Sequence, residues 1–389
     1  MAREFGTVKP RLLLSVNSAW NIANFRGGLV RELQADGWEV IAAAPVDEHV
    51  DRVRALGCRF VEMPIDNAGT HPWRDIQLYR RYRNLMRIER PAVYLGFTIK
   101  PNVYGSLAAH SLGIPVINNI AGLGTAFIRQ TWLTWVARSL YRHALRRSNR
   151  VLFQNEDDRR YFIDHGLVDK RRTDRVPGSG VDLLAFAPQP LPARRAGEPV
   201  RFLFVGRVLR DKGIVEYVEA ARLLRKEGIA AEFSILGPLD AQNRTALSRR
   251  EVDAWVDEGV IRYLGVTNDV RPHLATAHCI VLPSYREGVP RTLLEAASMA
   301  RPLIATDAVG CRDAVDDGVN GYLVGIANSG DLAAKCMRFA LLPEDAQVRM
   351  GQASRRKAEM EFDEAIVLST YLKYTRSLWP INAVPNVHG

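Results

Sequence analysis

Several signatures that would place a protein outside the cytoplasm or around a metal ion are missing from this sequence. It holds four cysteines in 389 residues, none of them in a C-x-x-C pair, which predicts neither a disulfide framework nor a zinc site. A reducing compartment such as the cytoplasm suits such a chain. No apolar run approaches the roughly 18 residues that span a bilayer. The first run, RLLLSV, is a strand in length and lacks the longer apolar region of a signal peptide.

Length and composition indicate a globular protein of two domains. At 389 residues the chain exceeds what one hydrophobic core usually supports, so two domains of roughly 150 to 200 residues are expected. Hydrophobic residues make up 47% of the chain and charged residues 25%, which is typical of a folded soluble protein.

The charge is distributed unevenly along the chain. Residues 1–150 contain 21 lysines and arginines against 11 acidic residues, whereas residues 151–389 contain 32 of each kind. The whole excess of +10 therefore falls in the first 150 residues, and we expect that part to meet an anionic partner.

Short β-rich runs alternate with longer amphipathic segments in both halves of the chain. This alternation predicts an α/β protein of two doubly wound, Rossmann-like domains, each with a parallel sheet covered on both faces. The predicted strands are RLLLSV, EVIAAAP, CRFVEMP, AVYLGFT, PVINNIA and RVLFQN, then VRFLFVG, AEFSILG, IRYLG, CIVLPS, PLIATD and GYLVG. A cluster of proline, glycine and small residues separates the two sets. It predicts an amino-terminal domain over 1–188 and a second domain over 189–364.

Ligands of such sheets bind beyond the carboxyl ends of the strands, so the residues after each strand are candidates for function. After the first strand, Gly27 and Gly28 open a helix whose amides and dipole suit a phosphate. An ordinary strand-to-helix turn has the same pattern. The later string GLGTAF lacks the third glycine of a dinucleotide fingerprint.

Two cations follow the first strand of the second domain, in the string VGRVLRDKG. Arg207 comes directly after the strand, and Lys212 is predicted at the start of the next helix. The pair suits a diphosphate, because arginine forms paired hydrogen bonds with it and lysine acts as a point charge. A solvated basic loop is the alternative interpretation.

Two glutamates follow the predicted strand CIVLPS. Glu287 is expected in a loop, and Glu295 one to two turns into a helix that starts near Pro290, a residue favoured at the first helical position. Gly288 would let the chain turn tightly beside a ligand. A carboxylate in this place accepts hydrogen bonds from sugar or ribose hydroxyls and stabilises positive charge at an anomeric carbon. Most glutamates on helices, however, are simply solvated.

Taken in their order, these motifs resemble those of the family 4 glycosyltransferases. The strings GR…DKG, LGVTNDVRPHLATAHCIVLPS, the glutamate pair and RPLIATDAVGCRDAVDDGVNGYLV succeed one another as in that family, and the likeness covers nearly the whole chain. The family consists of retaining enzymes of GT-B fold, with two Rossmann-like domains, an interdomain cleft and an E-x7-E signature. The resemblance implies that a final helix, about residues 365–385, joins the first domain.

The resemblance also implies that the second domain binds a nucleotide-sugar donor. Arg207 and Lys212 would contact the diphosphate. Glu287 would contact the transferred sugar, and Glu295 the ribose hydroxyls. These implied roles make Glu287, Arg207 and Lys212 the catalytic candidates.

Further donor contacts are expected at the start of the same helix. The backbone amides of Arg291 and Thr292 would face the phosphates, next to Gly288. No D-x-D string occurs in the sequence, so metal chelation of the diphosphate is not expected, and neither is a cofactor other than the nucleotide sugar itself.

One feature of many family members is missing. They carry a histidine after a strand of the first domain, where this chain reads NNIAGLGTAF with Ala121 at the comparable place. Residues 97–127 are instead similar to a branch with bacterial N-acetylgalactosaminyltransferases that act on polyprenyl-diphosphate-linked sugars. Lys100 and Asn102 then become candidates for the acceptor's diphosphate and sugar. A plain surface lysine at a strand end is an equal alternative for Lys100.

A segment of the basic half is amphipathic. The residues of 131–150 that are expected to face a membrane are Trp132, Trp135, Arg138, Arg142 and Arg146. Tryptophans beside arginines are typical of a helix on an anionic membrane surface, and residues 73–90 are also rich in arginine. This predicts a peripheral protein on the cytoplasmic face of the inner membrane. A core-packing helix with a solvated basic face has a similar pattern.

The resemblance thus implies transfer of a sugar, best taken as an N-acetylhexosamine from a UDP-sugar, to a sugar on polyprenyl diphosphate in bacterial surface glycan assembly. Two other functions remain open: a sugar-nucleotide 2-epimerase of the same fold, which needs no acceptor, and a non-catalytic sugar-nucleotide-binding protein. Nucleic acid is not an expected partner, because the chain shows no helix-turn-helix, RNA-binding strand motif or zinc module.

Overall fold

The structure is a computed structural model that describes residues 9–66, 71–122, 132–195, 197–239, 243 and 245–379. The chain forms two compact units. The first contains the chain up to Ala121, a stretch that ends at Ser179, and the final helix. The second contains Gly180–Glu364 and a short segment that begins at Gly122. The main boundary therefore follows Ser179, somewhat before the predicted residue 188.

A seven-stranded parallel sheet forms the centre of the first unit. Its strands are β1 (Arg11–Ser15), β2 (Glu39–Ala44), β3 (Arg59–Glu62), β4 (Val93–Phe97), β5 (Val116–Ile120), β6 (Arg150–Phe153) and β7 (Thr173–Arg175), in the spatial order β3-β2-β1-β4-β5-β6-β7. Every residue of β4 and β5 is buried, because helices cover both faces of a parallel sheet. The six strands predicted in this half are confirmed. The sequence did not predict β7, a short polar strand at the sheet edge.

Helices pack on both faces of this sheet. They are α1 (Ala19–Phe25), α2 (Gly27–Ala35), α3 (Val50–Arg54), α4 (Pro72–Glu89), α5 (Ser106–Ser111), α6 (Trp132–Leu145) and α7 (Glu156–Asp164). Successive strand residues point to opposite faces, so Leu12 and Leu14 join one buried cluster and Leu13 joins the other. The pattern of three leucines in a row thus reflects a strand that is buried on both sides.

The second unit repeats the architecture with six parallel strands in the order β10-β9-β8-β11-β12-β13. The strands are β8 (Val200–Val205), β9 (Ala231–Leu236), β10 (Arg262–Tyr263), β11 (Cys279–Leu282), β12 (Leu303–Thr306) and β13 (Gly321–Val324). The helices are α8 (Ile214–Lys226), α9 (Arg249–Asp257), α10 (Arg271–Thr276), α11 (Arg291–Ser298), α12 (Ser329–Ala340) and α13 (Glu344–Glu361). All six strands predicted for this half are present.

The last described helix, α14 (Glu364–Leu378), packs on the sheet of the first unit. Val367, Tyr371 and Tyr374 are buried in the same cluster as Leu12. The Asn119 side chain donates a hydrogen bond to the Tyr371 hydroxyl at 2.7 Å. Residues 380–385 of the predicted helix lie outside the described residues.

The cysteines and the length of the helices bear on the predictions about disulfides and membrane spans. All four cysteines are buried as free thiols. Among the helices of the described ranges, none combines the length and the apolar character that crossing a bilayer demands.

Candidate active site

The carboxyl edge of the second sheet brings together the loops that follow β8, β11 and β12. These strands are neighbours, since β11 pairs with β8 through Ile280 and Leu203, and with β12 through Val281 and Ile304. Parallel strands end at one edge, so the loops after them meet there. The second-domain residues predicted to bind the donor lie at this edge, whereas Gly27 and Gly28, also predicted to bind it, belong to the first unit.

Lys212 and Glu287 form an ion pair between two of these loops. Their side chains are 19% and 14% exposed, so the contact is largely shielded from water, where attraction between charges is stronger than at the surface. Backbone hydrogen bonds hold the Glu287 loop on both sides. The Tyr285 N–H donates to the Asp211 carbonyl and the Glu287 N–H to the Val309 carbonyl, each at 3.0 Å. The sequence predicted both charged residues here but not that they bind each other.

A glycine allows the Lys212 loop to pack against the β11 loop. Lys212 ends a 3-10 turn, and α8 begins at Ile214 rather than at Lys212 as predicted. Gly213 between them has a φ of 73°, in the left-handed region that favours glycine. A Cβ atom there would lie 2.1 Å from the Pro283 carbonyl oxygen. A side chain at residue 213 would therefore push the Lys212 loop away from the β11 loop.

A second glycine supports the loop that carries Glu287 and Gly288. Gly310, after β12, has a φ of 81°, and a Cβ atom on it would lie 1.9 Å from the Gly288 carbonyl oxygen. Gly288 itself does not have a left-handed φ. The tight turn that requires glycine is thus at Gly310 and not at Gly288, and sequence reasoning missed Gly310.

Arg207 follows β8 at the same edge and is exposed. Its guanidinium group makes no hydrogen bond or ion pair with any residue in the described part of the chain. An exposed cation without an acidic partner, on the same sheet edge as a shielded ion pair, is suited to an anionic ligand.

Helix α11 starts directly behind the Glu287 loop. Pro290 is its N-cap and Arg291 its first residue, one position later than predicted. The Thr292 hydroxyl donates to the Val205 carbonyl at 3.2 Å. This bond fixes the positive end of the helix dipole next to the end of β8.

Glu295 lies in the second turn of α11. Its Oε1 accepts a hydrogen bond from the Arg291 Nε at 2.7 Å, and its side chain is 13% exposed. Burial raises the pKa of Glu295, while the nearby Arg291 charge opposes that rise. Glu295 is thus a shielded hydrogen-bond acceptor, and its contact with ribose remains a prediction.

The structure adds one contact that sequence reasoning missed. The Tyr285 hydroxyl donates to Glu216 Oε1 at 2.6 Å, and so links the Glu287 loop to the first turn of α8. The two residues are 69 positions apart, and no local pattern signals such a pair. Glu216 holds the side chain of Tyr285 and Asp211 holds its backbone. These two contacts fix the part of the loop that leads to Glu287.

Gly27 and Gly28 lie in the first unit. They begin α2, which confirms that they open a helix. Because α1 lies between them and β1, the alternative of a direct strand-to-helix turn does not apply. Neither has a left-handed φ. A Cβ atom on Gly27 would be 3.5 Å from the Leu56 side chain, a packing contact. Phosphate binding at these glycines remains a prediction.

Lys100 and Asn102 lie after β4 in the first unit. Lys100 forms a 2.8 Å ion pair with Asp75. Asn102 is 1% exposed, donates to the Asn119 carbonyl at 2.8 Å and accepts from Asn118 at 2.9 Å. Both polar atoms of the Asn102 side chain are therefore used inside the protein, and its contact with the acceptor remains a prediction.

Helix α6 carries four of the predicted membrane-facing residues, and the fifth, Arg146, directly follows it. Trp135 is 72% exposed, and Arg142 and Arg146 are exposed as well. Arg138 differs, because it is half-buried and donates to the Tyr161 hydroxyl at 2.6 Å. The side chain of Trp132 lies outside the described part of the structure.

The sequence matches two family models. Residues 22–179 match the glycosyl transferase 4-like domain, and residues 199–340 match glycosyl transferases group 1. Together they account for most of the chain, which belongs to these glycosyltransferases and is an enzyme of that class.

Relatives and solved structures agree with this assignment. An N,N'-diacetylbacillosaminyl-diphospho-undecaprenol alpha-1,3-N-acetylgalactosaminyltransferase of Campylobacter jejuni is 26% identical over 91% of this chain and 95% of its own length. Sucrose-phosphate synthase of Thermosynechococcus elongatus has a TM-score of 0.78 at 18% identity, covering 95% of this chain and 99% of that one. Anabaena HepE in complex with UDP-glucose has a TM-score of 0.75 at 15% identity, covering 94% and 99%. At such identities the structures show the fold alone, which is of the GT-B class.

Proposed function

We propose that this enzyme transfers an N-acetylhexosamine from a UDP-sugar, with retention of configuration, to a sugar carried on polyprenyl diphosphate. The main supporting observation is the shielded Lys212–Glu287 pair at the carboxyl edge of the second sheet. The Campylobacter relative, aligned over nearly the whole chain, favours the acylated sugar and the lipid-linked acceptor.

In this proposal the residues of the second unit divide the donor among them. The Lys212 ammonium has three N–H groups, so it can hold Glu287 and still donate to a phosphate oxygen. Arg207 supplies a second cation, and the positive end of α11 adds to the field. Glu287 contacts the transferred sugar next to the Gly288 backbone, and Glu295 accepts hydrogen bonds from the ribose.

The chemical step then requires no protein nucleophile. The bond from the anomeric carbon to the donor diphosphate breaks, and the bond to the acceptor oxygen forms on the same face. The acceptor's proton passes to an oxygen of the leaving diphosphate. Arg207 and Lys212 stabilise the charge on that leaving group, while Glu287 stabilises the positive charge on the sugar. We propose that these cations replace a metal ion, consistent with the absence of a D-x-D string.

The proposed acceptor lies in a membrane, and α6 offers a surface for docking to it. Trp135 and the arginines Arg142 and Arg146 are exposed. Together they suit the interface of an anionic bilayer, where an aromatic ring inserts and cations meet headgroups. Arg138 is less suited to this role because Tyr161 engages it.

A panel of labelled nucleotide sugars, incubated with membrane lipid extract, tests the reaction. We expect label from a UDP-N-acetylhexosamine in the lipid phase, with chelator present as well as without it. The donor incubated alone is the control, because a new sugar nucleotide formed without acceptor would indicate an epimerase instead. Label that never enters the lipid phase with any donor would contradict the lipid-linked acceptor.

A further inference from the structure

The first unit contains a cleft of about 460 Å³, a volume typical of small-molecule sites. It lies where β2 and β3 end and α4 begins, and Lys100 at the end of β4 also lines it. We call it the α4 cleft. It is therefore at the carboxyl edge of the first sheet, the edge at which ligands of such sheets bind.

The charges that line the α4 cleft cancel. The acidic residues are Glu62, Asp66 and Asp75, and the basic ones are Arg74, Arg81 and Lys100. Two ion pairs of 2.8 Å join four of them, Arg74 with Asp66 and Lys100 with Asp75. A cleft with this lining has no excess positive charge to offer a diphosphate.

Lys100 in particular is already neutralised. It and Asp75 are 14% and 15% exposed, and the second oxygen of Asp75 accepts a hydrogen bond from Tyr104 at 2.8 Å. A diphosphate at Lys100 would have to displace Asp75 and would then face three carboxylates. The cost of bringing like charges together in a partly shielded cleft opposes that arrangement.

A sugar suits the same lining. Each hydroxyl both donates and accepts hydrogen bonds, and the cleft offers acceptors and donors side by side. Glu62 and Gln77 are exposed, and neither side chain forms a hydrogen bond or ion pair with a residue in the described ranges. Arg81 makes one long contact of 3.4 Å with the Pro64 carbonyl, which leaves other N–H groups. Val46, which is exposed in this lining, can pack on the C–H face of a sugar ring.

We infer that the α4 cleft binds a neutral sugar unit of the acceptor, and that the acceptor's diphosphate binds elsewhere. This inference rests on the proposed transfer to a lipid-linked sugar. It changes the role of Lys100 from a diphosphate contact to a residue that orients Asp75 for a sugar hydroxyl.

The direction in which one substitution changes the acceptor KM distinguishes a bound sugar from a bound diphosphate. Glu62→Gln removes a negative charge and weakens a hydrogen-bond acceptor. With a sugar in the cleft, the acceptor KM should rise roughly tenfold, as for the loss of a charge-assisted hydrogen bond. With a diphosphate there, acceptor KM should instead fall, and the gain should shrink as salt is added. The fall would overturn the inference, as would an unchanged KM.

Matched variants and a second readout complete the test. Gln77→Ala should raise the acceptor KM, whereas Asn84→Ala, exposed two turns further along α4 and outside the cleft, should not. Hydrolysis of the donor without acceptor should be equal in all of them. Saturation-transfer NMR with methyl glycosides of hexoses and N-acetylhexosamines needs no catalysis, so it remains decisive if the proposed transfer fails. Wild-type protein should show sugar signals that become weaker in Glu62→Gln, and their absence from wild type would overturn the inference.

Discussion

The Lys212–Glu287 ion pair makes the effect of changing either residue depend on the other. Glu287→Gln keeps the shape of the side chain but removes its charge. We expect kcat/KM to fall roughly a hundredfold, because stabilisation of charge in the transition state is lost. In a double-mutant cycle with Lys212→Ala, the loss of kcat/KM in the double variant should be smaller than the two single losses combined, since the residues act as a unit. Steady-state kinetics measure both.

The control for this cycle is Glu227→Gln, an exposed glutamate after α8. It should leave kcat/KM and the thermal midpoint unchanged. Fully additive losses for Lys212→Ala and Glu287→Gln would show that the ion pair does not act as a unit.

Glu295 gives a prediction about pH. Burial raises its pKa above 4.5 in the folded state, so the ionised form is penalised there. The contribution of Glu295 to the free energy of unfolding therefore falls as pH rises through 4.5 towards the raised pKa, and then levels off. Glu295→Gln escapes that loss, and its free energy of unfolding relative to wild type should increase between pH 4 and pH 7. Urea unfolding across this range measures it.

The same variant should bind the donor more weakly, because an amide is a poorer acceptor for ribose hydroxyls than a carboxylate. Calorimetric titration with UDP tests this separately from stability. A relative stability that is flat with pH would contradict the raised pKa.

At the scale of secondary-structure elements, the turn before α8 depends on Gly213. Gly213→Ala places a Cβ atom against the Pro283 carbonyl and keeps a left-handed φ. Gly228→Ala, after α8, has nearly the same φ of 69° but open space around its Cβ atom. We expect Gly228→Ala to lower the free energy of unfolding by about 1–2 kcal/mol through backbone strain alone. Gly213→Ala should cost about 1–3 kcal/mol more because of the overlap.

Donor affinity distinguishes these variants further. Gly213→Ala should weaken UDP binding, because the Lys212 loop shifts away from Glu287, while Gly228→Ala should leave it intact. Equal losses of stability in the two variants would mean that the Pro283 contact yields easily. Urea unfolding and calorimetry report the two effects.

Elements buried on both faces were predictable, and short polar ones were not. The run VYLGF has too little polarity for any place but the centre of a parallel sheet. By contrast, β7 reads Thr-Asp-Arg, and α1 has seven residues with an exposed tryptophan, Trp20. Their structure depends on neighbours in space, which a local pattern does not contain.

At the scale of the whole molecule, the first unit depends on the last described helix. Tyr371→Ala removes a buried ring from the cluster that α14 shares with β1 and β4, and we expect a loss of about 3–5 kcal/mol. Tyr371→Phe removes only the hydroxyl, and it should cost about 1–3 kcal/mol because the buried Asn119 amide loses its acceptor. Hydrogen exchange should show lost protection in peptides of the first sheet.

Ser369→Ala, exposed on the same helix, is the control and should change stability by less than about 0.5 kcal/mol. Protection of the second sheet should be unchanged in all three variants. If Tyr371→Ala left the first sheet fully protected, α14 would not be part of its cooperative unit.

The sequence by itself determined the α/β class, twelve of the strands and the loops in which Arg207 and Glu287 lie, because burial on two faces and turn residues leave local patterns. Tertiary structure alone decided which charges meet. Lys212 and Glu287 are 75 residues apart, and adjacent parallel strands join them. The same pairing of distant segments buries Asn102 and neutralises Lys100 with Asp75, since a side chain's partners are set by packing and not by its neighbours along the chain.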